Sequence, residues 1–275
     1  MRARRETALS HTVLVLAVVV ALYPAMAILS LAVSTPAARP TPMGLPRSFT
    51  LANFAEAWTG GRFDSALLSS GFVGVCVVAA TLLLTVPAGY ALARLRVPFA
   101  GVVLGVLLLG VVLPYEGIVI PLYRQMLDWD LVNTWWALIL PQIGLSTSLG
   151  VFWMHTFFSG LPGALGEAAA IDGASRAQTL LRVYLPSAAP AVATLALLVF
   201  LYTWNDFLLA LVMIPDAPGV QTAPLALSFF AGNRQAADIG VTAAAAVIVA
   251  LPLVVLYLFL QRRFISGLLA GAVKE

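Results

Sequence analysis

"GEAAAIDGASRAQTLLRVYLP", residues 166–186, is a polar, helix-favouring stretch in a chain otherwise built of long uncharged runs of Leu, Val and Ala. It carries Glu167, Asp172, Arg176, Gln178 and Arg182, three consecutive alanines, and a glycine between its two charged halves. Its surroundings decide the fold. The 275 residues are 61% hydrophobic and 10% charged, where a soluble domain is about 25% charged. Such a composition leaves too little polar surface to cover a water-soluble fold, so the bilayer is the solvent and the expected fold class is all-α integral membrane.

A helix needs about 20 mostly apolar residues to cross about 30 Å of hydrocarbon. About six runs qualify: 12–33, 65–92, 100–122, 134–157, 188–214 and 239–260. The first follows a basic start and contains "AMA", which resembles a cleavage site. However, its apolar stretch outlasts the roughly 7–15 residue core of a secretory signal, and it reads as an uncleaved anchor. Pro24, Pro87, Pro114, Pro141 and Pro252 lie within or near the runs and are expected to kink or break helices. The single cysteine, Cys76, sits in an apolar run and excludes an internal disulfide.

Basic residues favour the cytoplasmic side. Arg2, Arg4 and Arg5 precede the first run, Arg94 and Arg96 follow the second, Arg176 and Arg182 lie between the fourth and fifth, and Arg262, Arg263 and Lys274 follow the last. The opposite loops carry Arg39, Arg47, Arg62, Arg124 and Arg234, spread over longer connections. Both termini and the opening segment are therefore expected in the cytoplasm. The net charge of +3 is scattered between apolar runs rather than gathered in one patch, which argues against nucleic acid.

Lys274 is the chain's one lysine and is followed by Glu275, so the lysine–Ser/Thr end of a phosphate-binding loop is missing. His11 and His155 lie far apart, and no HExxH or GxSxG motif occurs. No catalytic, cofactor-binding or metal-binding residues are expected. The intramembrane carboxylates are Glu116 and Asp206, both toward the outer ends of their runs under the orientation above. An ion-coupled secondary transporter would use such groups as relays, and it stands as the alternative class.

Within the opening stretch, Leu165, Ala168, Ala169 and Ile171 form an apolar strip beside Glu167 and Asp172. A short helix with a narrow alanine ridge suits a groove on another protein; it equally suits the membrane surface. Gly173 permits a sharp turn, and a second helix is expected over about 175–184, leading through Leu185 and Pro186 into the fifth run.

Glu167-Ala168-Ala169, Gly173 and Leu185-Pro186 resemble the EAA loop of permease subunits of ABC importers. Six further stretches, in this order and at these spacings, resemble the carbohydrate (maltose-permease) branch of the binding-protein-dependent inner-membrane component family. They are "FTLANF" (49–54), "AGYALARLRVP" (88–98), "IPLYRQM" (120–126), "LVNTWWALILP" (131–141), "WNDFLLAL" (204–211) and "QRRFISGLLAGAVKE" (261–275).

The resemblance implies a type I importer permease of about six transmembrane helices in a bacterial plasma membrane. Residues 1–11 would form a cytoplasmic N-terminus. Residues 12–260 would form the permease domain, with the coupling loop at 158–187, and 261–275 a cytoplasmic tail. Glu167, Ala168, Ala169, Asp172, Gly173, Leu185 and Pro186 would dock a separate ATPase subunit, with Ala168 and Ala169 permitting close approach. ATP and Mg would be bound by a pair of those ATPase subunits, none by this chain. A second homologous permease and an extracytoplasmic solute-binding protein would complete the assembly. The solute is expected to be a sugar or oligosaccharide, with a glycerol phosphate derivative as the alternative. Trp204, Asn205, Asp206 and Glu116 are the candidates for the translocation pathway; helix packing and a boundary tryptophan explain the first three equally well.

Overall fold

The computed structural model describes the backbone of residues 2–38, 46, 48–232 and 238–272, and the side chains of those between 10 and 259. Arg39, Arg47, Arg234, Lys274 and Glu275 lie outside the described residues. Every described element is helical. In chain order these are α1 (Arg2–Ala32), α2 (Ala52–Gly60), α3 (Phe63–Arg94), α4 (Ala100–Val112), α5 (Tyr115–Asp128), α6 (Trp136–Gly160) and α7 (Ala164–Ile171). Then come α8 (Arg176–Thr179), a π-helical turn (Leu180–Tyr184), α9 (Leu185–Ser187), α10 (Ala189–Asn205), α11 (Leu208–Met213), α12 (Ala223–Gly232) and α13 (Ile239–Ala272).

Among the described residues, four segments are long and apolar enough to cross a membrane: Ser10–Ala32, Phe63–Arg94, Trp136–Gly160 and Ile239–Phe259. Two bent pairs bring the number to six if each is one span: α4 with α5, turned by 96°, and Arg176–Ser187 with α10, turned by 78°. The chain is thus an all-α membrane protein, but two of the expected runs are not straight helices. The run 100–122 breaks at Leu113-Pro114. Proline lacks an N–H and biases the preceding residue toward extended backbone, and Leu113 is extended at ψ 130°. The run 188–214 breaks at Asp206, also extended, with ψ 114°. Of the expected proline disruptions, only Pro114 ends a helix; α1, α3, α6 and α13 continue through Pro24, Pro87, Pro141 and Pro252. The 13 residues of α4 rise about 20 Å.

The chain forms two compact units. The first comprises residues 1–64 and 226–252. There the asparagine of "FTLANF" acts as a clasp: buried Asn53 donates through Nδ2 to the carbonyls of Ala32 (2.9 Å) and Ser34 (3.0 Å), satisfying the end of α1. A side chain at Gly240 would not fit beside it, since an added Cβ would lie 2.9 Å from Asn53 Nδ2 and 3.1 Å from the Leu31 carbonyl. Phe63 and Phe230 pack edge to face at 5.8 Å.

The second unit, residues 65–225 and 253–275, holds a core that includes Val77, Leu138, Met154, Phe158, Leu195 and Met213. The asparagine of "LVNTWW" has a similar structural role. Asn133 adopts a left-handed backbone (φ 65°), which asparagine tolerates better than most residues. Its N–H donates to the Met213 carbonyl (2.9 Å), and its Oδ1 accepts from the Asp216 N–H (3.0 Å). Trp135 donates to Ser69 Oγ (3.1 Å), and Ser70 Oγ accepts the first N–H of α12 from Ala223 (2.8 Å).

Replacing Asn53 by Ala leaves two carbonyls in the first unit without their donor. The expected loss is about 1–3 kcal/mol, read as a lower midpoint of thermal unfolding in detergent.

Candidate functional site

Two places gather the sequence candidates: the polar loop after α6, and a cleft between helices of the second unit. The loop is built by its caps. Helix α7 closes with Asp172 as its final cap and Gly173 in the left-handed conformation, φ +74°. The Ala174 N–H donates back to the Ala169 carbonyl (2.9 Å) and the Gly173 N–H to that of Ala170 (3.1 Å). These paired bonds make a Schellman closure, which consumes carbonyls the helix cannot satisfy internally. The following helix opens on a capping box: Ser175 Oγ accepts from the Gln178 N–H (3.3 Å) and Gln178 Oε1 accepts from the Ser175 N–H (2.8 Å). The second helix expected over 175–184 is present, though its latter half winds as the π-turn.

The apolar strip divides in two. Leu165 packs against the core and Ala169 is 6% exposed, so the i, i+4 pair turns inward. Ala169 is therefore part of the loop's own packing, and close approach from outside falls to Ala168, which is exposed with Glu167 and Asp172. Ile171 stands 86% exposed at the tip of α7. Leu181, which the sequence reading passed over, is 61% exposed on the other limb. Leu185 packs against the core, while Pro186 is exposed.

The cleft has a volume of about 540 Å³ and lies where α4 gives way to α5 and α10 to α11. Tyr115, Gln142, Ser146, Tyr202, Asn205 and Asp206 supply its polar lining. The Tyr115 hydroxyl donates to both carboxylate oxygens of Asp206 (2.9 and 3.2 Å), and Asp206 Oδ1 also accepts the Leu209 N–H (2.9 Å), capping α11. One side chain thus stabilises both breaks. Gln142 is 5% exposed, and its amide oxygen has no hydrogen-bond partner. Asn205 is exposed and returns its amide to the Leu201 carbonyl (2.8 Å).

Among the sequence candidates, Asn205 and Asp206 line this space; Trp204 and Glu116 do not. Trp204 is 4% exposed and packs on Phe200 with ring centroids 5.5 Å apart. Glu116 is exposed on α5. Tyr115 and Gln142 were not anticipated, because neither stands out until the breaks bring α5, α6 and α10 together. Among the described residues, no group of three or more His, Cys, Asp or Glu side chains could hold a metal ion.

Residues 85–269 match the family described as binding-protein-dependent transport system inner membrane component. The chain belongs to that family. It is 36% identical over 231 residues to the trehalose transport system permease protein SugB of Mycobacterium tuberculosis (strain CDC 1551 / Oshkosh), covering 84% of each chain. It is 34% identical over 244 residues to the trehalose/maltose transport system permease protein MalG of Thermococcus litoralis (strain ATCC 51850 / DSM 5473 / JCM 8560 / NS-C), covering 86% of each. Its fold is similar to that of a chain in the crystal structure of a bacterial ABC transporter involved in import of the acidic polysaccharide alginate, with a TM-score of 0.80 and 24% identity over 96% of this chain and 98% of that one. The protein is an integral inner-membrane permease subunit without an ATPase site of its own, and permeases of its family work with an ATPase and a binding protein. Family membership sets aside the ion-coupled alternative.

Tyr115→Phe deletes the donor shared between the two breaks. It is expected to cost about 0.5–3 kcal/mol, the range for hydrogen bonds from neutral to charged partners. The unfolding midpoint of the purified protein should fall accordingly, while Glu116→Gln on the neighbouring exposed position leaves it unchanged.

Proposed function

We propose that this chain is one of two permease subunits of an ATP-driven importer for a neutral sugar or oligosaccharide, and that α7 is the point at which an ATPase subunit grips it. The single observation that carries the docking reading is Ile171. It is a large apolar side chain left 86% exposed at the tip of a helix capped firmly at its exit. An exposed knob on a short, rigid helix fits a groove in a partner. Glu167, Ala168 and Asp172 flank it, and Leu181 extends the surface. Gly173 sets the direction in which the chain leaves. A pair of such ATPase subunits would hold the ATP and Mg. Their closure would push α7, and the membrane helices would alternate between outward and inward access. The termini, including the tail 261–275, would lie on the same cytoplasmic side as α7 by the charge rule.

The cleft supports the sugar reading. Its lining is apolar and aromatic with amide, hydroxyl and one carboxylate group, and among the described residues it includes no Arg or Lys. A phosphate ester favours a cation or a ready donor fork, so this lining suits neutral hydroxyls better than a glycerol phosphate derivative. Relatives whose names specify trehalose, diacetylchitobiose, and melibiose, raffinose and stachyose point the same way. Asn205 and Asp206 remain the pathway candidates, joined by Tyr115 and Gln142, and a second permease would close the open side.

Purification of the tagged chain from its native membrane should bring down an ATPase and a second permease. The partner binding protein should bind trehalose, maltose or diacetylchitobiose in preference to a glycerol phosphodiester. Solute accumulation in liposomes containing this chain alone would overturn the proposal.

Ile171→Asp should leave expression and unfolding temperature intact, because the side chain is almost wholly exposed, yet weaken ATPase co-purification. Gly173→Leu forces an L-residue into a left-handed turn at a cost of about 1–2 kcal/mol. It should reduce transport roughly tenfold, with Gly173→Asn, better tolerated there, retaining most of it.

A further inference from the structure

The docking loop must be tied to the membrane helices if a push on it is to move them, and one cluster is placed to make the tie. Arg94, at the end of α3, donates through one guanidinium nitrogen to the carbonyls of Phe158 and Leu161 at the end of α6. A cation there also complements the negative end of the helix dipole. The same guanidinium lies over the ring of Tyr184, 5.4 Å from its centroid.

Tyr184 is the last residue of the loop's π-turn and is 2% exposed. Its ring meets those of Tyr90 on α3 at 5.3 Å and Phe158 on α6 at 6.1 Å, and Tyr90 and Phe158 meet each other at 5.9 Å. Three rings from three elements are thus in mutual contact. The hydroxyl end of Tyr184 reaches α7 itself: a Cβ added to Gly166 would lie 2.9 Å from its oxygen, whereas the next ring atom is 3.8 Å away. A continuous line of contacts therefore runs from α7 through Gly166 and Tyr184 to the ends of α3 and α6.

We infer that Arg94 and Tyr184 are positioning residues for energy coupling. They clamp the docking loop to α3 and α6, so displacement of α7 is delivered to those two helices rather than absorbed by the loop. The inference rests on the reading of α7 as the ATPase docking helix. It gives a role to the tyrosine and the first arginine of "AGYALARLRVP", Tyr90 and Arg94, that the docking surface leaves without one. It also gives Gly166, two residues before the exposed Ala168, the role of admitting the Tyr184 hydroxyl. Packed clusters of this kind transmit displacement because they are not continuously deformable.

The test uses the complete transporter, this chain with its partner subunits and binding protein, reconstituted in liposomes. The readout is solute moved per ATP hydrolysed. Gly166→Ala inserts a methyl group against the Tyr184 oxygen and should lower that ratio about fivefold, as overpacking of a close contact does, while the ATPase remains bound. Adding Tyr184→Phe removes the oxygen and should restore the ratio, a coupling between the two sites of about threefold or more. Arg94→Ala should lower the ratio, and Arg94→Lys should recover it only in part, because an ammonium lacks the planar guanidinium that lies over the Tyr184 ring.

A merely structural role would lower transport and ATP hydrolysis together and leave the ratio unchanged; that result overturns the clamp. So does additivity of the Gly166 and Tyr184 substitutions. Should Arg94→Ala fail to accumulate, the Gly166–Tyr184 pair decides alone. Loss of the ATPase from the unaltered chain is a different failure: it removes the docking reading, and the clamp with it.

Discussion

Backbone that leaves a helix in hydrocarbon must find partners, because no water is there to supply them. This constraint shapes the second unit. Both α4–α5 and α10–α11 interrupt apolar runs, and each interruption frees N–H and C=O groups. Asp206 answers the second break and ties the first to it. Its carboxylate caps α11 at the Leu209 N–H and receives the hydroxyl of Tyr115 from the first residue of α5. The cleft follows from the same event, since two helices that stop and turn at one level cannot fill the space beside them. Gln142 and Asn205 then find themselves along an open wall rather than inside a packed seam.

At the opposite kind of boundary, the loop after α6 is held by local bonds at its turn and by the burial of Ala169 and Tyr184 beneath it. The Schellman closure at Gly173 and the capping box at Ser175 and Gln178 stand two residues apart, so the chain turns sharply without a flexible link. This arrangement leaves Ile171 and Leu181 outward without unfolding the segment. Local order and outward apolar surface coexist because the caps and the inward-facing Ala169 and Tyr184 carry the geometry, leaving Ile171 and Leu181 free of that duty.

Much of this was readable from residue types alone. The apolar runs located the helices, and Gly173 announced its turn. The motif asparagines, Asn53 and Asn133, were visible as motifs, though their work as clasps on loop backbone was not. What escaped has a common cause. Run length measures hydrophobicity and is blind to direction, so the break at Asp206 was hidden inside an apparently continuous span, whereas Pro114 marked the other. Helical periodicity assigned one strip to Ala169 and Ile171, yet with α7 only eight residues long a small rotation sends one inward and the other out. Trp204 was weighed for its aromatic face, but it is buried and packs on Phe200 one turn earlier on the same helix, a pairing the i, i+4 spacing offered.

The shortness of α4 has a wider consequence. Its 13 residues stop well short of an average hydrocarbon slab, and α5, leaving at 96°, adds almost nothing along the same axis. Mismatch of this sort is relieved by thinning the surrounding lipid or by tilting neighbours, at a fraction of a kcal/mol per ångström. Acyl-chain length would therefore bear on the geometry of the cleft beside α4.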